Sequence, residues 1–381
     1  MAGQKSILTW AVQISTVLLV ALWLFPTVGL LVSSFRTADQ ISSSGWWAAL
    51  FEGEQNVVIR VADPDEFRVP DGDGFTVSGN LFGDESGSGD ISVWGTSSRA
   101  IDAYNAGETA DLGDGETLTL QPNGDYVWSG NDEQISGRAQ RVFATATVPP
   151  EFTLDNYNQV LLSDNATDSM AKAFFNTLTV TIPATIVPVV VAAFAAYALA
   201  WMQFPGRAVL IAIVVGLLVV PLQLALIPLL KLHLNIGIGK GYLGVWLAHT
   251  GFGLPLAIYL LRNYMVGLPR DIIENAKVDG ATDFQIFTKI VLPLSFPALA
   301  SFSIFQFLWV WNDLLVARVF LIDATGDTTV MTQQIVELLG TRGGNWEILS
   351  TAAFVSIIVP LVVFFAMQRY LVRGLLAGSV K

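Results

Sequence analysis

The 381-residue sequence contains no cysteine and only two histidines, His233 and His249. A disulfide framework and a thiolate metal site are excluded, and imidazole chemistry has little to work with. Charge is also scarce. Charged residues make up 14% against 52% hydrophobic, which is too apolar for a soluble protein and suits a chain that crosses a membrane several times. No phosphate-binding loop is present. The nearest stretch, Gly237-Ile238-Gly239-Lys240-Gly241, has no Ser or Thr after the lysine and the wrong glycine spacing, and it suits an outward-facing turn. Both histidines lie in or beside apolar runs, where packed or interfacial roles fit better than a Ser/His/Asp arrangement. No catalytic and no metal-ligating residue is assigned.

The charge that exists is segregated. Residues 41–168 hold 22 acidic and 5 basic side chains, a net −17, while the remainder holds 10 acidic and 15 basic, a net +5; together these give the −12 of the whole chain. One block is therefore a polar acidic insertion in a mildly basic membrane body. Such a block does not suit nucleic acid or an anionic lipid surface.

Six apolar runs are visible, at 6–33, 171–202, 208–230, 243–261, 296–322 and 349–367. The first is uncharged and far longer than the apolar part of a signal peptide, so an uncleaved anchor is expected. Six spans put both termini on one side. Counting short loops only, the basic residues favour that side as cytoplasmic: Lys5, Arg207, Arg262, Arg270, Lys277, Lys289, Arg369, Arg373 and Lys381 lie there. Residues 36–168 then face outward. Pro183, Pro188, Pro221, Pro228, Pro255 and Pro360 lie within the runs. Each removes a backbone donor, which fits either ordinary packing or a bundle that bends between two states.

Between 36 and 150 the composition changes to Gly, Asp, Ser and Asn with short β-type runs at 57–61, 75–77, 91–94 and 117–120. Asn123-Gly124 ahead of Tyr126-Val127-Trp128 is a hairpin signal. A small antiparallel β domain is expected. Asp71-Gly72-Asp73-Gly74 begins like a calcium loop but lacks its remaining ligands, and is better taken as an acidic turn. Asn165-Ala166-Thr167 is a formal glycosylation sequon.

The stretch 268–293 lies between two apolar runs and is too polar for the membrane interior. Pro269 suits a helix entry, with Asp271 on the positive end of the helix dipole. Glu274 and Lys277, three apart, are expected to pair. Gly280 permits a left-handed exit, and Thr282 with Gln285 forms a capping box for a second helix. Ile286, Ile290 and Val291 give that helix an apolar face, and Pro293 ends or kinks it. Elsewhere in the spans the polar stretch Trp309-Val310-Trp311-Asn312-Asp313 stands out, with Arg318 a potential partner for Asp313. Two readings of it stay open: a structural ion pair near the interface, or a polar and aromatic lining for a substrate path.

The pattern Glu274-Asn275-Ala276, Asp279-Gly280-Ala281, then Ile290-Val291-Leu292-Pro293 resembles the EAA loop of bacterial ABC-importer permeases, departing from it at Asn275, where Ala is usual. Phe152-Thr153-Leu154-Asp155-Asn156-Tyr157 is similar to the FTLxNY stretch of sugar-type permeases, and Trp311-Asn312-Asp313 to their WND stretch. The ending, Gln368-Arg369-Tyr370 through Arg373, Gly374, Gly378 and Lys381, resembles that of maltose-type permeases. The chain is on these grounds similar to the MalG-like sugar branch, and its enlarged loop after the first span is most like that of alpha-glucoside permeases. The resemblance covers 151–381 and the first span, not the insertion.

The resemblance implies an all-α polytopic membrane protein of the bacterial inner membrane. Six transmembrane helices with a MetI-like core are expected, with an inserted periplasmic β-rich domain. The expected organisation is an N-terminal helix at 1–35, the insertion at 36–150 and the permease core at 151–381. It also implies that 268–293 docks on an ATPase. Glu274, Asn275, Ala276, Asp279, Gly280, Ala281, Ile290 and Pro293 would couple the two, and a tail with Gly374, Gly378 and Lys381 would contact the ATPase. Trp309, Asn312 and Asp313 are candidates for the substrate path. Implied partners are a second homologous permease in a heterodimer, two ATPase subunits, a periplasmic solute-binding protein and membrane lipid, with no nucleic acid. No cofactor is expected on this chain; ATP and Mg belong to the partner ATPase. An ion-coupled sugar transporter and a membrane-anchored sensor using the β domain are the competing classes.

Overall fold

Uncharged throughout, residues Ile7–Ser33 form one helix. At about 1.5 Å per residue its 27 residues span roughly 40 Å, more than the ~30 Å hydrocarbon core. The computed structural model describes residues 7–83, 90–162, 170–322 and 325–377. Asn165 of the sequon, Gly378 and Lys381 lie outside the described residues. The chain divides into two units, Met1–Asn156 with Gly344–Thr351, and Tyr157–Gly343 with Ala352–Lys381.

In the first unit the chain leaves its helix through a tight clasp. The buried Arg36 guanidinium donates to the Gln40 carbonyl at 2.6 Å, and to the Ser44 hydroxyl and carbonyl at 2.6 and 3.0 Å. The Asn156 side-chain amide donates to the carbonyls of Ser34 and Arg36 at 3.0 and 2.9 Å, and the Thr153 N–H donates to Phe35 O at 2.8 Å. Between these points, among the described residues, lie nine strands: β1 Gly53–Arg60, β2 Val69–Asp71, β3 Gly74–Asn80, β4 Asp90–Gly95, β5 Tyr104–Asn105, β6 Thr109–Gly113, β7 Glu116–Leu120, β8 Asp125–Gly130 and β9 Arg141–Val148. They form two antiparallel sheets, ordered β1-β9-β4-β5 and β2-β3-β8-β7-β6.

Alternation explains the core of these sheets: Val142, Ala144 and Ala146 of β9 point inward, as do Leu118 and Leu120 of β7 and Tyr126 and Trp128 of β8. They meet Trp94 and Val77 in one buried cluster. Asn123-Gly124 makes the β7–β8 turn, with Gly124 at φ +88°. The amides of Asn80 and Asn123 donate to Asp125 and hold its carboxyl below the usual carboxylate range. Asp71–Gly74 forms the turn between β2 and β3, with Gly72 at φ +61°.

The second unit is helical. Among the described residues, four helices of the whole chain are long and apolar enough to cross a membrane: Ile7–Ser33, Met170–Trp201, Tyr242–Val266 and Trp346–Tyr370. Counting two bent pairs as single spans gives six. The apolar run 208–230 is not one straight span. It is Arg207–Leu217 and Leu222–Asn235, turned by 111°. Pro221 lies at the break in an extended conformation (ψ 127°), because it brings no N–H to continue the first helix. The run 296–322 also divides. Its helix Phe296–Trp311 ends at Asn312, and Asp313 starts the short helix Leu315–Phe320 by accepting the Ala317 N–H at 3.1 Å. The expected pairing with Arg318 does not form among the described residues; that carboxylate is committed to the helix start and lies 3.7 Å from His249 Nε2. Within the polar 323–348 segment lies a further helix, Met331–Thr341.

Three prolines of the spans share an arrangement. Pro183 leaves the Thr179 carbonyl without its helical donor, and Trp246 Nε1 fills it at 2.9 Å. Pro188 does the same to Ala184 O, which takes the Gln306 side-chain N–H at 3.1 Å. Pro360 orphans Ser356 O, which takes Trp311 Nε1 at 3.0 Å. In an apolar bilayer such a carbonyl needs a partner, and for these three a neighbouring helix supplies it. These kinks are pinned across the bundle. Trp311→Phe is therefore expected to cost about 1 kcal/mol of stability. In a Pro360→Ala background the same substitution should cost less than half of that, because an N–H at position 360 restores the bond within the helix. Thermal unfolding in detergent reads the cycle; equal costs in both backgrounds would refute the pin.

Candidate functional site

The loop 268–293 folds as two helices about Gly280. Pro269 precedes the first, Arg270–Val278, with Asp271 in its first turn. Only its Ile273 side is buried, with Ala276 half-buried beside it. Gly280 takes φ +80°, donating to Lys277 O at 3.1 Å, while the Ala281 N–H reaches Ala276 O at 3.0 Å. This is the Schellman closure, and it needs the left-handed residue that glycine supplies without strain. Thr282 then caps Asp283–Ile286, with the reciprocal Gln285 bond of a capping box.

The expected Glu274–Lys277 pair is replaced. Lys277 Nζ lies 3.7 Å from Asp283 Oδ1, because the turn at Gly280 brings Asp283 back over the first helix. Both partners are about half exposed, so the pair contributes little. Asp283 also accepts a hydrogen bond from the Tyr197 hydroxyl at 3.1 Å, tying the loop to Met170–Trp201.

Below Asp283 the helix widens. Phe287–Val291 form a π turn, which lengthens the hydrogen-bonded ring just before Pro293, where an α-helical N–H is missing and the proline ring would crowd the preceding turn. The chain then turns by 71° into Phe296–Trp311. Ile286, Phe287 and Val291 are buried, and the Phe287 ring lies 4.7 Å from that of Phe194 and 5.2 Å from that of Tyr197. The loop is thus welded inward and open outward. Val278 is 86% exposed and Phe284 65%, next to exposed Glu274, Asn275 and Asp279. Asn275, at the position where Ala is usual, is exposed and meets no steric demand for a small residue. Ala281 and Ile290 are half-buried, and Pro293 is exposed.

The candidate path residues do not gather in one place. Trp309 borders a cavity of about 530 Å³ at the break between Arg207–Leu217 and Leu222–Asn235. Asn312 is exposed and donates to Leu308 O of its own helix. Asp313 faces His249, which is fully buried with its ring 6.0 Å from that of Trp309. His233 is likewise buried, against Phe320. Sequence reasoning missed Gln306, an amide one turn before Trp309 in an otherwise apolar helix. An uncharged polar group at that depth is a signal in its own right. In the tail, Gly374 lies on the helix Trp346–Ala377.

Long apolar helices with bonded proline kinks, and a polar helical hairpin between two of them, are the build of a polytopic membrane subunit. The chain belongs to the family described as the binding-protein-dependent transport system inner membrane component, which matches residues 164–376. It is 59% identical over 384 residues to the alpha-glucoside transport system permease protein AglG of Rhizobium meliloti (strain 1021), covering 100% of this chain and 99% of that protein. It is 53% identical over 263 residues to the osmoprotective compounds uptake permease protein GgtD of Synechocystis sp. (strain ATCC 27184 / PCC 6803 / Kazusa), covering 69% of this chain and 84% of the relative. A solved bacterial ABC transporter involved in alginate import shares 23% identity at a TM-score of 0.49, over 59% of this chain and 81% of that one. The chain is the permease subunit of an ABC importer, an inner-membrane component; in its homologues the ATPase is a separate subunit.

Proposed function

We propose that this permease imports alpha-glucosides, disaccharides of the sucrose, trehalose or maltose class, by alternating access. The observation that carries the reading is the 59% identity to AglG, which extends over the whole chain and so includes the β-rich insertion outside the family match at 164–376. On this reading both termini and 268–293 lie in the cytoplasm and residues 36–168 in the periplasm, which the basic residues of the short loops support. A solute-binding protein delivers sugar at the outer side. A second, homologous permease completes the path as a heterodimer. Two ATPase subunits, holding ATP and Mg, bind the exposed face of Val278 and Phe284 and drive the spans through Glu274, Asp279 and Gly280. Trp309 lines the path; Asn312 and Asp313 stand beside it. The tail residues Gly374, Gly378 and Lys381 contact the ATPase.

Uptake into vesicles containing the full set of subunits tests this. Labelled trehalose, sucrose or maltose should accumulate only with ATP and binding protein, and should resist collapse of the ion gradients. Uptake that follows an ion gradient at constant ATP would contradict the mechanism. Uptake confined to osmoprotective solutes, the class in the name of the 53% relative, would move the substrate assignment.

A further inference from the structure

Gln306 is 1% exposed, yet only half of its amide is bonded. Its N–H donates to Ala184 O, the carbonyl orphaned by Pro188, and this fixes which way the amide points. The other end, Oε1, has no partner among the described residues. A buried amide oxygen without a donor is costly in an apolar medium. Gln306 is among the residues that line the cavity of about 530 Å³, together with Gly251, Gly253 and Trp309. The rest of the wall is apolar. Gly253 is there for space: a Cβ on it would stand 2.7 Å from Gln306 Oε1.

The wall holds a second acceptor. Pro255 takes the helical donor away from Gly251 O, as Pro183, Pro188 and Pro360 do from Thr179, Ala184 and Ser356. Those three carbonyls receive a side chain from a neighbouring helix. Among the described residues no side chain donates to Gly251 O, and Gly251 borders the cavity. Trp309, 38% exposed, adds a flat apolar ring with an indole N–H. Two acceptors, one donor and an aromatic face suit a polyhydroxylated ring, whose hydroxyls donate and accept while its C–H face lies on an aromatic surface. The volume falls in the ~300–1,000 Å³ range of small-molecule sites.

We propose that Gln306, the Gly251 carbonyl and Trp309 form a hydroxyl-binding subsite for the transported sugar on this subunit, at the break in the 207–235 segment. The inference rests on the reading of the chain as a sugar permease. Gln306→Leu keeps the volume and removes both polar ends. In vesicles with the full subunit set it should lower uptake of labelled trehalose, sucrose or maltose about ten-fold, chiefly through KM, while ATP hydrolysis stimulated by loaded binding protein stays within two-fold of wild type. Gly253→Ala should raise KM without touching the amide chemically. Should Gln306→Leu fail to reach the membrane, Gly253→Ala and Trp309→Leu decide, each expected to raise KM at least three-fold. Unchanged KM in the variants that reach the membrane overturns the subsite and leaves the permease reading intact. A wild type that carries no alpha-glucoside overturns the substrate reading itself, whatever the variants do. Equal loss of uptake and of ATPase stimulation would mark Gln306 as a structural pin only.

Discussion

Gly280→Pro reaches the membrane in normal amount but transports nothing measurable, and loses stimulation of the partner ATPase by loaded binding protein; this is the largest effect expected of any single substitution. Three requirements fail together. Gly280 stands at φ +80°, whereas proline is locked near −65°. Its N–H bonds Lys277 O, and proline has none to give. The Ala281–Ala276 bond that completes the turn depends on the same geometry. Both helices can still form, but their mutual angle is lost, and with it the joint placement of Val278 and Phe284. Immunoblots of membranes, uptake and ATPase assays read the three quantities separately. Gly280→Ala is the graded control. A Cβ there meets nothing within 4 Å, so only the backbone strain of about 1–2 kcal/mol remains, and partial transport should survive. Full transport by Gly280→Pro would remove the hairpin from the coupling mechanism.

Phe287→Ala is expected to cost about 3–5 kcal/mol of stability, the usual result of emptying a buried aromatic site. Phe287 is 2% exposed and wedged between Phe194 and Tyr197, so the void opens where the loop is fixed to Met170–Trp201. Thermal unfolding in detergent should show the loss. The accompanying functional signature is uncoupling: basal ATP hydrolysis persists while its stimulation by loaded binding protein falls. Phe287→Leu, which refills most of the volume, should lose about 1 kcal/mol and retain coupling. If Phe287→Ala proves unstable yet fully coupled, the inward contact is a matter of folding and another route carries the motion.

These two residues also mark the limits of what the sequence discloses. The loop was legible almost bond by bond, because capping boxes and left-handed exits are local and use few residue types. Thr282 with Gln285 and Gly280 stand as expected. Partners set by the turn were not legible: Lys277 meets Asp283 rather than Glu274, since spacing along one helix says nothing of what a hairpin folds back. Apolar runs located the spans but not their direction. Residues 218–220 are as apolar as their neighbours, and only Pro221 hinted at the 111° turn. In the insertion, β9 pairs with β1 over eight residues yet was overlooked, because alanine at 144 and 146 is a weak strand former and the alternation carries the signal alone. Gln306 is not marked by its own surroundings in the sequence, because the carbonyl it serves is freed by Pro188, on another helix.

The clasp of Asn156 on the carbonyls of Ser34 and Arg36 has a wider consequence. It brings the start and the finish of the insertion to one point. To the rest of the chain, everything between them is a closed loop whose entropic cost grows only logarithmically with length, about 0.6 kcal/mol per doubling. A tight turn or a two-sheet domain can hang from the same bonds with little difference to the structure on the other side. The clasp is thus a socket. It lets this permease carry an outsized attachment without rebuilding the helix that bears it.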